Sequence, residues 1–409
     1  TVTLDQIRAV VHGNTSNPDD VDFLGSGHIN LAATVTDGDG DTATGTLDLG
    51  SVISFRDDGP SIAAGSLAGI ALVVDESVLG TDASADFSGA FTSSFGNDGA
   101  GTITYSLNVS APGADSGLVD VASGDAIVLY KEGSEIVGRV GGPAGAVSFT
   151  VSVDAATGVV TLDQRLALEH NPDTGPDQLN DTLAANLVQL SATITDKDGD
   201  SSTATLNIGG TLSFHDDAPV ITPGEGELPV LQVDETVFGT DATGDFSGAF
   251  ASSFGEDGAG SITYTLNVSA AGADTGLVDT ASGDAIVLYK EGNDIVGRVG
   301  GPAGAISFTV SVDAATGVVT LDQQLAIQHS PDSGPNQASD TLAADLIQLT
   351  GTIVDRDGDT SNAVLNIGGQ LSFLDDAPSI EVGEGRLASL VVDETDLSTD
   401  ASADFSGAF

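Results

Sequence analysis

The chain has 409 residues, of which 61 are acidic and 10 are basic, so its formal net charge is −51. A chain this negative will not bind nucleic-acid phosphates by charge, and the absence of Cys excludes disulfides, zinc ribbons and thiol catalysis. No apolar run is long enough to span a membrane, yet 40% hydrophobic residues are too many for a solvated acidic tail. We therefore expect two or three folded domains. The lack of Met and of a signal peptide predicts an internal part of a longer chain.

Internal repeats with a step of 159 residues decide the architecture. Asp75, Asp234 and Asp393 occupy equivalent positions at this step, each in a V-D-E motif. The copies are close, since 44 of the 49 residues in 116–164 are identical to those in 275–323. The predicted domains are the C-terminal part of a repeat (1–59), two full repeats (60–218 and 219–377) and the N-terminal start of a further repeat (378–409).

The residues along each repeat alternate between apolar and polar with a period of two, as in half-buried antiparallel strands. In the first full repeat this pattern predicts strands over 103–109, 147–153 and 188–194. The sequence Asp154-Ala-Ala-Thr-Gly158 predicts a hairpin turn, with the glycine in a left-handed bulge. We predict an all-β fold of tandem antiparallel β-sandwiches, immunoglobulin-like or cadherin-like, with roughly eight to ten strands per repeat. The large repeat leaves room for an added hairpin or for two subdomains.

An acidic turn, Asp196–Asp200, begins the last predicted strand of this repeat. The alternation continues through Gly209-Gly210 to Phe214, which predicts one strand of about 40 Å that ends at Asp216-Asp217. The turn and the Asp-Asp exit would then lie at opposite ends of a repeat. In a string of repeats, the exit of one is expected to meet the acidic turn of the next.

Carboxylates gathered in this way repel one another unless a cation lies between them. Calcium binds six to eight oxygen ligands with flexible geometry, and the 49 Asp against 12 Glu suit tight loops around such an ion. The predicted calcium ligands are, in the turns, Asp37, Asp39, Asp41, Asp196, Asp198, Asp200, Asp355, Asp357 and Asp359, and, at the exits, Asp57, Asp58, Asp216, Asp217, Asp375 and Asp376. A second-rank set comprises Asp75, Glu76, Asp234, Glu235, Asp393 and Glu394. The alternative is that these are polar turns, with acidity serving solubility or salt adaptation.

Other recurring residues receive structural interpretations. Asp98 and Asp125, with their copies Asp257 and Asp284, stand beside Gly and are predicted mainly to be turn residues, with a ligand role as the alternative. His12, His170 and His329 are predicted to pack against loops, with a role as ligand or base as the alternative. The turns are not EF-hands, because Gly is missing at the sixth position and Glu at the twelfth. No Ser-His-Asp set, phosphate loop or HExxH motif is present, so we predict that the protein is not an enzyme.

The blocks VDES, GDAIVLYKEG, VSVDAATGVVTLDQ, TDKDGDSS and LSFHDDAP recur in fixed order. In this combination the chain resembles the tandem extender repeats of giant bacterial RTX adhesins exported by type I secretion. The segment from DxDGD to DDAP is also similar to the cadherin pattern, in which an acidic linker before Ala-Pro binds calcium between domains. The resemblance covers essentially the whole chain. Two features of such adhesins are missing from this sequence, the nonapeptide secretion repeats and an identifiable ligand-binding module.

The resemblance implies export to the bacterial cell surface, calcium-stiffened stalks, and a role in attachment and biofilm formation. The expected partners are neighbouring repeats of the same chain, with neither nucleic acid nor membrane insertion. A second hypothesis is that the repeat faces bind carbohydrate or protein directly. The four Tyr and the absence of Trp speak against sugar stacking.

Overall fold

The computed structural model describes residues 1–170, 181–329, 339–376 and 380–409. In these residues all regular structure consists of β-strands and three-residue 3-10 turns, with no α-helix. The predicted all-β class is therefore confirmed. The 3-10 turns are Gly50–Val52, Glu76–Val78, Ser88–Ala90, Gly209–Thr211, Glu235–Val237, Ser247–Ala249, Gly368–Gln370 and Ser406–Ala408.

The segment before the first full repeat is a small set of hairpins. Its strands are β1 (Val21–Phe23), β2 (Asn30–Thr36), β3 (Thr42–Asp48) and β4 (Ser54–Arg56). Strand β1 pairs with β4, and β2 pairs with β3, both antiparallel. Apolar side chains such as Leu31 and Leu47 are exposed on these strands.

In its described residues, 60–170 and 181–218, the first full repeat contains four sheets. Its strands are β5 (Ser61–Ala64), β6 (Leu72–Asp75), β7 (Ala83–Asp86), β8 (Phe91–Ser94), β9 (Thr102–Val109), β10 (Ala114–Asp120), β11 (Ala126–Glu132), β12 (Glu135–Val140), β13 (Val147–Val153), β14 (Val159–Gln164), β15 (Leu168–Glu169), β16 (Asp181–Thr182), β17 (Val188–Thr195), β18 (Ser201–Asn207) and β19 (Leu212–His215). The largest sheet is antiparallel, in the order β15-β10-β11-β12-β13-β14-β7. Two three-stranded sheets, β16-β19-β6 and β18-β17-β9, and the pair β5-β8 complete it.

The second full repeat follows the same plan. Its strands are β20 (Val220–Pro223), β21 (Leu231–Asp234), β22 (Ala242–Asp245), β23 (Phe250–Ser253), β24 (Ala259–Val268), β25 (Ala273–Val278), β26 (Ala285–Glu291), β27 (Asp294–Val299), β28 (Ile306–Val312), β29 (Val318–Gln323), β30 (Asp340–Thr341), β31 (Ile347–Asp355), β32 (Thr360–Asn366) and β33 (Leu371–Leu374). The sheets are β22-β29-β28-β27-β26-β25, β21-β33-β30, β24-β31-β32 and β20-β23. An isolated bridge between Asp279 and Ile327 stands where β10 pairs with β15 in the first repeat.

The core of each repeat lies between sheets. Phe149 on β13 and Phe214 on β19 are fully buried, with ring centroids 4.9 Å apart, so the large sheet packs on the sheet that contains β6. Phe308 and Phe373 repeat this contact at 5.0 Å. Burial of one such ring stabilises the fold by about 1.5–3 kcal/mol. The alternating apolar residues thus form the sandwich that the sequence predicts.

Three details of the predicted fold are wrong. The first full repeat has more strands than the eight to ten predicted, because short pairings such as β16 carry too few residues to show alternation. Strand β6 pairs with β19 in parallel, so the sandwich is not purely antiparallel. The long strand after Asp200 is interrupted at Gly209, where the chain leaves the sheet of β18 for the sheet of β19. A Cβ on Gly209 would lie only 2.3 Å from the Ala184 carbonyl oxygen, so only glycine fits this crossing.

The described chain forms two compact units that do not coincide with the predicted repeats. Unit 1 comprises Thr1–Val220, Ser253–Ser261 and Val354–Ser361. Unit 2 comprises Ile221–Ser252, Ile262–Ile353 and Asn362–Phe409. Two short loops of the second repeat thus belong to the body of the first. The predicted domain boundaries remain predictions, and the one between 377 and 378 lies outside the described residues.

Candidate functional site

The acidic turn 196–200 joins β17 to β18 and is fixed by its own backbone. The Asp196 carboxylate accepts hydrogen bonds from the amides of Gly199 (3.1 Å) and Asp200 (2.9 Å). The Asp196 amide in turn donates to the Asp200 carbonyl at 3.1 Å. Gly199 has a φ of +112°, which favours glycine. The turn therefore holds its acidic side chains close together before any ligand is considered.

The exit residue Asp57 meets this turn, as the sequence predicts. Carboxylate oxygens of Asp57, Asp198 and Asp200 lie within 4.8 Å of one another, and both oxygens of the buried Asp57 lack a hydrogen-bond partner. Asp58 turns to Asn97, whose backbone amide and side-chain amide donate to it at 2.9 and 2.7 Å. We call Asp57, Asp98, Asp196, Asp198 and Asp200 the first carboxylate cluster, because their charges interact.

A second carboxylate cluster, also within unit 1, forms where the exit of the first full repeat meets the two loops of the next. It consists of Glu76, Asp216, Asp257, Asp355, Asp357 and Asp359, whose side chains interact through charge. Neither carboxylate oxygen of Asp216 or Asp257 accepts a hydrogen bond, although these residues are only 3% and 1% exposed. Asp217 lies beside this set and accepts a hydrogen bond from the Glu256 amide at 2.8 Å. The predicted approach of the exit to the acidic turn is thus observed twice.

Crowding of carboxylates makes these sites unfavourable for negative charge. The adjacent Asp57 carboxylate, burial and neighbouring charges raise the pKa of Asp200 to about 7. Burial and the charges of Glu76, Asp357, Asp216 and Asp355 raise the pKa of Asp257 to about 9. Burial and Asp357 raise the pKa of Asp355 to about 7. At neutral pH these carboxylates are therefore destabilising unless positive charge compensates them.

In the described residues, Arg and Lys side chains form no ion pair with these clusters, whereas His170 contacts Glu76 and Asp216. The ion pairs that Arg side chains make there join Arg56 to Asp19, Arg139 to Glu132, Arg165 to Asp163 and Arg298 to Glu291, none of which belongs to a cluster. Buried carboxylates without a paired cation are costly, so groups of this kind are paired or coordinate metals. The oxygen-rich donor sets, with their unpartnered oxygens, fit a hard divalent cation.

The Asp-Glu pairs at the start of each repeat divide into two roles. Asp75 is exposed, and its carboxylate accepts from the Ser77 amide at 3.0 Å, capping the 3-10 turn that follows β6. Glu76 is fully buried and accepts from Gln164 Nε2 at 2.6 Å and from the Leu168 amide at 3.0 Å. Burial raises the pKa of Glu76, and His170 partly offsets the rise. The structure thus brings Glu76 to the second cluster and leaves Asp75 outside it.

This division predicts unequal effects of two neighbouring substitutions. Glu76→Ala removes the acceptor of two buried donors, and we expect it to lower the free energy of unfolding by at least about 2 kcal/mol. Asp75→Ala removes a cap and should cost about 1 kcal/mol. Denaturant unfolding of both variants in millimolar calcium measures the difference, with Glu235→Ala and Asp234→Ala as the matched pair. Equal losses would contradict the assignment.

The turn at Asp37, Asp39 and Asp41 differs from the turn at 196–200 in the burial of its carboxylates. Its three carboxylates also lie within 4.8 Å of one another, but all three residues are exposed. The equivalent residues Asp196 and Asp200 are buried, although the turn sequence is nearly the same. Burial of an acidic turn therefore comes from the segments that pack on it, not from the turn itself.

The remaining predicted ligands lie in unit 2. Asp375 is half-buried and meets Glu235 and His329 within 4.8 Å, whereas Asp376 is exposed. Asp234 and Asp393 cap 3-10 or turn segments by accepting from Thr236 and Thr395, each at 2.9 Å. Glu394 is exposed and joins none of these groups. Of the predicted ligands in unit 2, the structure thus brings together Glu235 and Asp375.

Two contributions are ranked too low by the sequence alone. Asp98 and Asp257 were expected to be turn residues, and they do precede glycines with positive φ, but their carboxylates point into the clusters. The recurring motif F-G-x-D-G-A-G was the available signal. The buried histidines His12, His170 and His329 contact cluster carboxylates as well as loops. Their recurrence beside acidic motifs was the corresponding signal. Asp125 and Asp284 remain exposed turn residues, as predicted.

Comparison with known proteins identifies the family. Residues 1–50, 71–209 and 230–368 match a family model described as "Domain of unknown function (DUF5801)", and these matches cover most of the chain. No curated protein matches the chain. In the described residues, no helix is long and apolar enough to cross a membrane.

Solved structures with weak similarity include three adhesion proteins. Protocadherin Gamma B2 extracellular cadherin domains 1–5 are 13% identical, with a TM-score of 0.23, over 88% of this chain and 74% of that chain. The human Desmocollin-1 ectodomain is 11% identical, with a TM-score of 0.20, over 87% of this chain and 50% of that one. A "Ca2+-stabilized adhesin" that "helps an Antarctic bacterium reach out and bind ice" is 13% identical, with a TM-score of 0.17, over 82% and 55%. The chain thus spans about half the length of the latter two.

Proposed function

This chain belongs to the family described as "Domain of unknown function (DUF5801)", and we propose that it is a calcium-stiffened extender of a large secreted or surface-attached bacterial adhesin. The proposed role is structural and non-enzymatic: the repeats hold an adhesive tip away from the cell for attachment and biofilm formation. The observation that carries the proposal is the second carboxylate cluster. There the exit of one repeat and two loops of the next bury carboxylates together, among them Asp257, neither of whose oxygens accepts a hydrogen bond.

Calcium fits these clusters better than other common cations. It accepts six to eight oxygen ligands in flexible geometry, whereas magnesium demands a near-ideal octahedron. When bound, the ion supplies the positive charge that the cluster lacks. In the first cluster the ligands would come from Asp57, Asp98, Asp196, Asp198 and Asp200. In the second they would come from Glu76, Asp216, Asp257, Asp355, Asp357 and Asp359.

Such an ion would link consecutive repeats. Loops 253–261 and 354–361 belong by sequence to the second repeat, but they form one compact unit with the exit of the first. Without a cation, repulsion among the carboxylates opposes that assembly. Because calcium is scarce inside cells and abundant outside, the chain would remain loose during export and gain stability by mass action afterwards. This behaviour suits a protein that works outside the cell.

Scattering and melting with and without calcium test the proposal. We expect millimolar calcium to raise the melting temperature and lengthen the particle measured by small-angle scattering. Extracellular calcium sites have dissociation constants of about 10⁻⁴–10⁻³ M, so 10 mM calcium should add about 1.4–2.7 kcal/mol per ion.

Asp216→Ala with Asp217→Ala should loosen the particle without unfolding the sandwiches. The control is Asp125→Ala with Asp284→Ala, which removes the same charge from exposed turns. No response to calcium in either measurement would reject the proposal.

A specific surface favours the second candidate function, direct binding of carbohydrate or protein. The outer face of the sheet β18-β17-β9 carries only Ser, Thr, Asn and Gln, with no charged side chain, although the chain has a net charge of −51. Neighbouring hydroxyls on this face hydrogen-bond each other, as Thr193 and Thr203 do at 2.9 Å. A glycan array probed with the full chain tests it. Saturable binding that Thr193→Lys abolishes would support a binding module.

A further inference from the structure

A buried histidine joins two carboxylates in each full repeat. Nitrogen and oxygen atoms of Glu76, His170 and Asp216 lie within 4.8 Å of one another, and all three residues are buried. Glu235, His329 and Asp375 form the same arrangement in unit 2. The two sets are 159 residues apart in sequence. Imidazole is a poor ligand for calcium, so these sets require a separate explanation.

The distances within the sets are those of ligands around one small ion. His170 Nε2 lies 3.4 Å from Glu76 Oε1 and 3.8 Å from Asp216 Oδ1. His329 Nε2 lies 3.4 Å from Glu235 Oε1. A direct charge-assisted hydrogen bond would measure about 2.7–2.9 Å. Two ligands bound tetrahedrally at about 2.1 Å from zinc lie about 3.4 Å apart.

The other ring nitrogen of each histidine faces a second carboxylate. His170 Nδ1 lies 3.4 Å from Asp181 Oδ2, and His329 Nδ1 lies 3.1 Å from Asp340 Oδ2. Both Nδ1 atoms are buried and make no hydrogen bond, so the outer carboxylate acts on them through its charge. A proton on Nδ1 is favoured by that charge and leaves the Nε2 lone pair directed at the Glu and Asp. Metal-binding histidines are oriented in this way by an outer carboxylate. The inner carboxylate is available as well, since neither oxygen of Asp216 accepts a hydrogen bond and the residue is 3% exposed.

We propose that Glu76–His170–Asp216 and Glu235–His329–Asp375 each bind a transition-metal dication of the zinc type, in addition to calcium. Three protein ligands with one nitrogen and two oxygens match the donor preference of such ions, and water completes the coordination. The proposal goes beyond the extender function. Its first set shares Glu76 and Asp216 with the calcium ligands of the second carboxylate cluster, whereas the set Glu235–His329–Asp375 shares none. The rival arrangement is a protonated histidine paired with the same carboxylates. Burial lowers the pKa of His170. The carboxylates of Glu76, Asp216 and Asp181 raise it by more, so the pKa lies above the usual 6.5.

Zinc titration of the full chain in saturating calcium separates these arrangements, because calcium already occupies the all-oxygen sites. The histidine ring nitrogens are followed by nitrogen-15 NMR, and the bound zinc is counted by isothermal titration calorimetry. We expect one zinc for each complete set, with Nε2 of His170 and His329 shifting and the exposed His28 unchanged. Two results would overturn the proposal in favour of the ion pair. One is zinc binding that leaves the two ring nitrogens unshifted, and the other is a zinc affinity no higher than that of the His170→Gln/His329→Gln variant.

Substitution of the outer carboxylates tests the site without removing a ligand. Asp181→Asn with Asp340→Asn should weaken zinc binding by about 10- to 100-fold, while His28→Gln should leave it unchanged. The calcium-dependent rise in melting temperature should persist in all of these variants. Loss of zinc binding with an intact calcium response therefore separates this proposal from the extender function. Unchanged zinc affinity in the Asp181→Asn/Asp340→Asn variant would contradict it.

Discussion

Asp257→Asn is expected to stabilise the chain in EDTA and to destabilise it in millimolar calcium. Without cation, Asp257 is a buried carboxylate whose oxygens accept no hydrogen bond and whose pKa is raised to about 9. At neutral pH the folded chain must therefore take up a proton on Asp257, which costs stability. The amide avoids this cost and presents a donor to the surrounding carboxylates. We expect a gain of about 1–3 kcal/mol at neutral pH, since one unit of pKa shift corresponds to about 1.4 kcal/mol. With calcium the same change removes a ligand, which should lower stability by a similar amount.

Thermal unfolding of the full chain under both conditions measures this reversal. Asp98→Asn is the matched substitution in the first carboxylate cluster and should reverse in the same way, with a smaller gain because Asp98 is less buried. Asp284→Asn removes one charge from an exposed turn, and it should change stability little in either condition. A change of the same sign with and without calcium would contradict the cation-binding role. That outcome would leave the acidity as a solubility or salt adaptation.

The alternation of inward- and outward-facing residues along a strand is sufficient to distinguish Asp75 from Glu76. Along β6, Leu72 and Val74 are buried while Val73 and Asp75 face solvent. The same period of two continues by one residue and turns Glu76 inward. The V-D-E motif groups Asp75 and Glu76 together, although the two side chains lie on opposite faces of the strand. Alternation was thus a stronger guide than the motif here.

Other features depend on contacts that no local pattern contains. The turns at Asp37 and Asp196 have nearly identical sequences, yet one is exposed and the other buried. Their difference arises from residues such as Asp57, far away in the chain, that pack on only one of them. The parallel pairing of β6 with β19 joins the two ends of a repeat, and periodicity is silent about such long-range pairs. The sheet change at Gly209 depends on the distant Ala184 carbonyl.

The cation-free chain is expected to lose stability as the pH rises from about 4 to about 9. Asp200 and Asp355 have pKa values raised from 3.8 to about 7, and Asp257 has one raised to about 9. Between the unfolded and folded pKa values the folded state binds more protons, so stability falls with increasing pH. The raised pKa of His170 acts in the same direction, because its contribution is complete below 6.5 and is lost as the pH passes its folded value. Exposed carboxylates with lowered pKa values, such as Asp154, make stability depend on pH only below about pH 4.

Melting temperatures in EDTA at pH 5, 7 and 9 test this dependence, with the same series in 10 mM calcium as the comparison. Calcium should flatten the profile, because bound cations compensate the ionised carboxylates that would otherwise repel one another. It should also raise the melting temperature most at pH 9, where the folded chain without cation carries the most uncompensated charge. A cation-free profile that rises from pH 5 to pH 9 would mean that the buried carboxylates are compensated within the chain itself. The clusters would then have no need of an ion, and the stiffness of consecutive repeats would have to come from the strands alone.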